Sequence, residues 1–211
     1  MYAQTLQMGL VDRDTELTEK CVESIVRESE WLGVMIERLI TWRMAARDRD
    51  NLDLVTAPVD KLAEDAAVRF RRMLPPGEAA FQAEIDTRLP VSHDPNGVHT
   101  VIINLLTNAF KYTGEKKEIT LSVKDVENRV EIVVADNGVG IPPNKVKRIF
   151  EPFYRVESGS DRGAAGSGLG LAIVDFMVKA HSGTILVESS VGEGSCFTVF
   201  LPAAAVEETG P

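Results

Sequence analysis

Two glycine clusters set the strongest limit on what this chain can fold into. The first, Asp136-Asn137-Gly138-Val139-Gly140, follows an alternating run (Val130, Ile132, Val134) of the kind that makes a half-buried strand. The second, Gly166-Ser167-Gly168-Leu169-Gly170, opens an apolar stretch of helical character. Glycine at a strand exit and at a helix entrance lets backbone approach a ligand closely, and a helix start offers N–H groups to an anion. The segment between them, 142–165, carries Arg155 and Arg162 among Ser and Gly and is too long for an ordinary connection. It reads as a lid over a phosphate-bearing ligand, with a disordered loop as the alternative.

Composition narrows the partners. With 211 residues, 44% hydrophobic and 26% charged, the chain can build one or two domains with a real core. The formal net charge is -9 and no Lys/Arg cluster could track a phosphodiester backbone, so nucleic acid is excluded as a partner. Cys21 and Cys196 lie far apart without metal-ligand spacing, which favours a reduced, cytoplasmic setting over a disulfide framework. No apolar run reaches membrane-span length and no signal-peptide pattern opens the chain, although a parent protein could still be membrane-anchored.

Taken in order, residues 1–47 read as a helical region. Leu32, Met35, Leu39, Trp42 and Ala46 alternate steps of three and four, a coiled-coil-like seam suited to a bundle or dimer or, alternatively, to a core helix. Residues 48–58 read as a linker, 59–203 as a second domain and 204–211 as a tail. Within the second domain Val59, Leu62, Ala63, Ala66, Ala67 and Phe70 mark one helix and a strand is expected over 79–85. Asp94-Pro95 reads as the cap and first residue of another helix, whose core face is Val98, Val101, Ile102, Leu105, Leu106, Ala109 and Phe110. A hairpin turning at Glu127-Asn128, a helix over 169–180 and two strands over 184–188 and 195–200 complete the set. That order predicts an α+β domain: a mixed sheet with helices on one face.

On the helix from Asp94, the spacing of Asn104, Asn108 and Lys111 puts two carboxamides and an ammonium on one face, a set able to hold a hard cation and a phosphate or simply to be a solvated surface. Asp136 can accept from an exocyclic amine, or serve a plain Asx turn.

The ordered combination of NLLTNAFKYT (104–113), DNGVG (136–140), IFEPFYR (149–155) and GSGLGLAIV (166–174) closely resembles the N, G1, F and G2 boxes of bacterial sensor histidine kinases. LVTAPVD, SHDPNGV and AHSGTILVESSVGEGSCFTVFLP look like framework of the same family, so the resemblance spans most of the chain. It implies the Bergerat ATP-binding fold, a two-layer α/β sandwich, with ATP and Mg²⁺ as ligands. By that resemblance Asn108 coordinates Mg²⁺ with Asn104 as a second contact, and Lys111 and Tyr112 face the phosphates and nucleotide. Asp136 reads the adenine amine in a pocket shaped by Gly138, Gly140 and Ile141. Phe150 and Phe153 anchor the lid, Arg155 reaches a phosphate and Arg162 is a further lid cation. Gly166, Ser167, Gly168, Leu169 and Gly170 pass near the phosphates. Asn104, Lys111 and Arg155 form the implied catalytic set.

The implied reaction moves the γ-phosphoryl of ATP to a histidine and then to an aspartate of a response regulator, in a homodimer built on the N-terminal helices. The family's H box, Ser-His-Glu followed by proline, does not occur in this sequence; MYAQTLQMGLV resembles the region after it. His93, His99 and His181 are poor substitutes, and His181 is expected as an imidazolium at a helix C-terminus. Two other readings stand beside the kinase: a nucleotide-gated dimerisation or scaffold module, and a hydrolytic ATPase of the wider superfamily. The latter resembles this fold but uses a glutamate as general base where this chain has Asn104, and an amide cannot take a proton from water near neutral pH.

Overall fold

The computed structural model describes residues 52–75, 77–156 and 167–204. The chain divides into two units at Arg43 and Met44, and every described residue lies in the second. The expected N-terminal helical region, residues 48–51 of the expected linker and all of the expected tail (204–211) but Ala204 fall outside the described residues.

Alternation dictates the sheet. Strands β2 (Ala79–Asp86), β4 (Lys117–Val126), β5 (Arg129–Asp136), β6 (Thr184–Ser190) and β7 (Gly194–Pro202) form one sheet in the order β2-β4-β5-β7-β6. Register puts Leu121 opposite Val134, Val134 opposite Phe197, and Phe197 opposite Val187, so one apolar side chain per strand falls in line on the same face. Only β2 and β4 run parallel, because the chain between them crosses over through a helix; the remaining pairs are antiparallel. The mixed sheet expected from the element order is therefore present.

Three helices cover the apolar face: α1 (Asp60–Met73), α2 (Pro95–Tyr112) and α3 (Gly170–Ala180). α1 buries Ala63, Ala66, Ala67 and Phe70, and Phe70 meets Phe81 of β2 edge to face at 4.9 Å between ring centroids. α2 starts where the sequence places it, since the Asp94 side chain accepts from Gly97 N at 2.9 Å and Pro95 occupies the first turn. Its predicted core face is buried except Phe110, half-buried with the Lys117 ammonium 4.9 Å from its ring centroid.

Two short strands were not legible in the sequence. β1 (Val55–Ala57), inside the segment read as a linker and within the framework run LVTAPVD, pairs antiparallel with β3 (Val91–His93), which overlaps the framework run SHDPNGV. Three residues are too few to show a period, and their partners lie far apart in sequence. Asp53 N also donates to Asp94 Oδ2 at 3.2 Å, which ties this segment to the cap of α2.

Candidate functional site

α2 carries the first part of the site. Asn104 is 5% exposed, and its Nδ2 donates to Thr100 O at 2.8 Å, which settles which end of the amide is oxygen. Its Oδ1 is buried without a hydrogen-bond partner among the described residues. An acceptor kept dry in this way costs about 1–3 kcal/mol, and a carboxamide oxygen is the donor type a hard divalent cation takes. Asn108 lies one turn on, half-buried. Both carboxamides face the start of α3: a Cβ added to Gly170 would lie 3.1 Å from Asn104 Oδ1 and 3.8 Å from Asn108 Nδ2. Among the described residues no side chain caps the start of α3, so its first-turn N–H groups and the positive end of its dipole stay available to an anion there. Among the described residues there is no group of three or more His, Cys, Asp and Glu that could hold a metal.

At the far end of α2, Lys111 Nζ donates to Tyr112 OH at 3.0 Å and sits 4.6 Å from the centroid of that ring. From Asn104 to Tyr112 this face extends about 12 Å along the axis.

The first glycine cluster docks on that end. Val139 N donates to Tyr112 O at 3.0 Å, and a side chain on Gly138 would collide with the same carbonyl. Asp136 ends β5; its Oδ1 accepts from Gly138 N at 2.8 Å. Burial pushes the Asp136 carboxyl above the usual carboxylate range, against the N–H groups of Gly138 and Ser195. Asn137 acts as a substitute strand, its Oδ1 accepting from Glu118 N at 2.9 Å and its Nδ2 donating to Lys116 O at 3.0 Å. Gly140 has φ +68°, and a Cβ there would strike Ser190 O. Ile141 N donates to Ser189 Oγ at 2.8 Å. Neither Asn137 nor Ser189 was assigned a role from the sequence, although Asn137 lies in DNGVG and Ser189 in the framework run AHSGTILVESSVGEGSCFTVFLP.

Phe150 is half-buried in a 3₁₀ turn, Arg148–Phe150, whose Ile149 is buried. Phe153 is 62% exposed, and its left-handed backbone (φ +65°) holds the segment, N donating to Gly168 O at 3.0 Å. Gly168 (φ +70°) has no room for a side chain against Phe153 and Tyr154. Ser167 Oγ accepts from Leu169 N at 3.2 Å, and Leu169 is 2% exposed. Arg155 is exposed. Arg162, Gly166 and the rest of 157–166 lie outside the described residues.

Two of the three histidines are structural. His93 is 2% exposed, with Nδ1 2.9 Å from Val91 O. His99 is half-buried on α2, and burial lowers its pKa. His181 corrects the expectation of an imidazolium: it is 5% exposed, Nε2 accepts from Asp94 N at 2.9 Å and Nδ1 lies 2.7 Å from Met177 O, a pairing made by the neutral ring. Cys196 is a half-buried free thiol whose pKa burial raises, consistent with an inert role.

Residues 93–205 match the family described as "Histidine kinase-, DNA gyrase B-, and HSP90-like ATPase". This chain belongs to that ATPase family. Among curated proteins in the family, it is 32% identical over 190 residues to the sensor-like histidine kinase SenX3 of Mycobacterium tuberculosis, covering 90% of this chain and 46% of that protein. To the sensor protein kinase WalK of Staphylococcus epidermidis it is 42% identical over 210 residues, covering 98% of this chain and 34% of that protein. The chain thus spans half or less of the length of these relatives. Among solved structures, the mycobacterial sensor histidine kinase MprB superposes with a TM-score of 0.62 at 28% identity, covering 71% of this chain and 98% of that one. Full-length ShkA in complex with AMPPNP gives 0.72 at 25% identity, covering 90% of this chain and 40% of that one.

Proposed function

We propose that this chain is the ATP-binding catalytic part of a sensor histidine kinase, serving transfer of the γ-phosphoryl of ATP to a histidine and onward to a response-regulator aspartate. The observation that carries the reading is the buried, unpartnered Oδ1 of Asn104 beside the uncapped start of α3, on the same helix whose far end fixes the Asp136 turn. Asp136 takes the adenine amine, and Gly138, Gly140 and Ile141 hold the turn that presents it. Asn108 and Asn104 would hold Mg²⁺, which when bound would neutralise charge on the phosphates. Lys111 and Arg155 supply further positive charge to the phosphates, and Tyr112 orients Lys111 through its hydroxyl. Ser167, Gly168, Leu169 and Gly170 bring the start of α3 to the same anion. Phosphoryl transfer asks the protein mainly for positioning and charge neutralisation, and this arrangement is of that kind. Asn104 cannot act as a general base, which speaks against a hydrolytic ATPase. Dimerisation through residues 1–47 and a response regulator as partner follow from the same reading.

Calorimetric titration tests it. Wild type should bind ATP and ADP with a Mg²⁺-dependent affinity; Asp136→Ala should lose affinity for adenosine as well. Asn108→Ala should lose the Mg²⁺ dependence and keep its affinity for adenosine. Equal adenosine affinity in wild type and Asp136→Ala would remove the adenine role, and a full Mg²⁺ effect in Asn108→Ala would remove the metal role.

A further inference from the structure

The turn after Asp136 is closed on its far side by a residue outside the four boxes. Ser189 lies on β6 opposite Ser195 of β7. Its Oγ accepts from Ile141 N at 2.8 Å, donates to Gly194 O at 2.8 Å and lies 3.0 Å from Ser195 Oγ. A hydroxyl has one proton to give, and here it goes to Gly194 O. Ser195 is therefore the donor in the Ser–Ser pair, and Ser189 is saturated, with two bonds accepted and one given.

These three bonds bracket one carboxylate. Asp136 is the register partner of Ser195. Gly194 has φ +105°, and a side chain there would collide with Asp136 O. Ile141 closes the Asp136–Gly140 turn, and Gly192 N donates to Val139 O at 2.9 Å, so the β6–β7 hairpin and the turn are strapped together beside Ser189. On the other side Tyr112 O and the Asn137 side chain already hold the turn.

We infer that Ser189 is a positioning residue for the Asp136 carboxylate, fixing both the turn that leaves Asp136 and the strand segment paired with it, and so setting the preference for a purine with a 6-amino group. This inference rests on the nucleotide reading above. Among the described residues the Ser189 Oγ partners are Ile141, Gly194 and Ser195, none of them on the phosphate side, so its loss falls on base discrimination.

The test uses the full chain and compares ATP with inosine triphosphate, which carries the same phosphates but a carbonyl in place of the amine. Wild type is expected to prefer ATP. Ser189→Ala should lower ATP affinity by about tenfold with inosine triphosphate affinity unchanged, shrinking the preference by that factor. Ser189→Thr, which restores a hydroxyl in a residue suited to a strand, should keep it. Should Ser189→Ala fail to fold by circular dichroism, Ser189→Val replaces it, being shape-matched to Thr without the hydroxyl. A general loosening would lower both affinities alike and leave their ratio intact; that result, or an unchanged ratio of any kind, overturns the inference. Wild type that binds neither nucleotide overturns the nucleotide reading itself and this inference with it.

Discussion

At the scale of single residues, the site stores its cost in polar atoms that the fold alone does not need. Asn104 keeps an unpartnered buried oxygen. Replacing it with leucine, of similar size and apolar, should remove that penalty and stabilise the empty domain by about 1 kcal/mol, raising Tm by roughly 2–4 °C. The same variant should lose Mg²⁺-dependent nucleotide binding. A lower Tm than wild type, measured by scanning calorimetry, would show that the oxygen is not a burden. The carboxylates give opposite pH signatures. Asp136 has its folded pKa raised by burial, so the stability linked to it is present below the ordinary carboxylate pKa and is lost as pH rises through the raised value. Asp125 is also pushed up by burial, but the Thr87 hydroxyl and the N–H groups of Arg88 and Leu89 together hold it below its ordinary value. Its contribution is present above the ordinary carboxylate pKa and is lost as pH falls through the depressed value. Tm followed from pH 7 downward should shift in favour of wild type relative to Asp136→Asn, and against wild type relative to Asp125→Asn. Parallel curves for either pair would contradict the assignment for that residue.

At the scale of elements, α2 and α3 are joined at two places through glycine. Near the start of α2, a Cβ on Gly97 would lie 3.0 Å from His181 Cε1, and at the start of α3 Gly170 leaves the space before Asn104. His181 completes the first junction by accepting from Asp94 N at the head of α2 and meeting Met177 O at the end of α3. His181→Ala leaves both groups without that partner and should destabilise the domain by about 1–3 kcal/mol in urea unfolding. The loops offer a sharper contrast. Gly114 has no heavy atom near an added Cβ and no left-handed φ, so Gly114→Ala should be neutral within about 0.5 kcal/mol. Gly140→Ala meets both a left-handed φ and the Ser190 carbonyl, and should lose soluble folded protein outright or cost more than about 3 kcal/mol. Similar urea midpoints for the two variants would mean that the clamp between the turn and β6 yields easily.

At the scale of the whole chain, the question is whether this stretch of protein carries its own phosphoacceptor. His93 and His181 are buried and engaged with backbone, and His99 is half-buried on α2. An in-line attack on a phosphoryl group requires an accessible imidazole nitrogen, so incubation with γ-labelled ATP should leave the chain without acid-labile label. Label mapped to any of the three would refute that reading of their environments. The described residues contain no helix long and apolar enough to cross a membrane.

Periodicity was enough to read the main strands and helices of the described domain, because burial of one face imposes steps of two or of three and four on the residues that face it. Asp94-Pro95 marked the start of α2, since capping is a local matter of neighbouring groups. Helical spacing and the two glycine clusters picked out Asn104, Asn108, Asp136 and the glycines, and the resemblance of four short boxes gave them roles. The two short strands β1 and β3, the backbone role of Phe153, the neutral pairing of His181 and the grip of Ser189 on Ile141 were decided only by tertiary structure. Each depends on partners from 15 to 87 residues away, as the Phe153–Gly168 and Asp94–His181 bonds show. A hydroxyl or an imidazole looks the same in the sequence whether it meets water or the backbone of a distant strand, and only the closed sheet with its helices decides which.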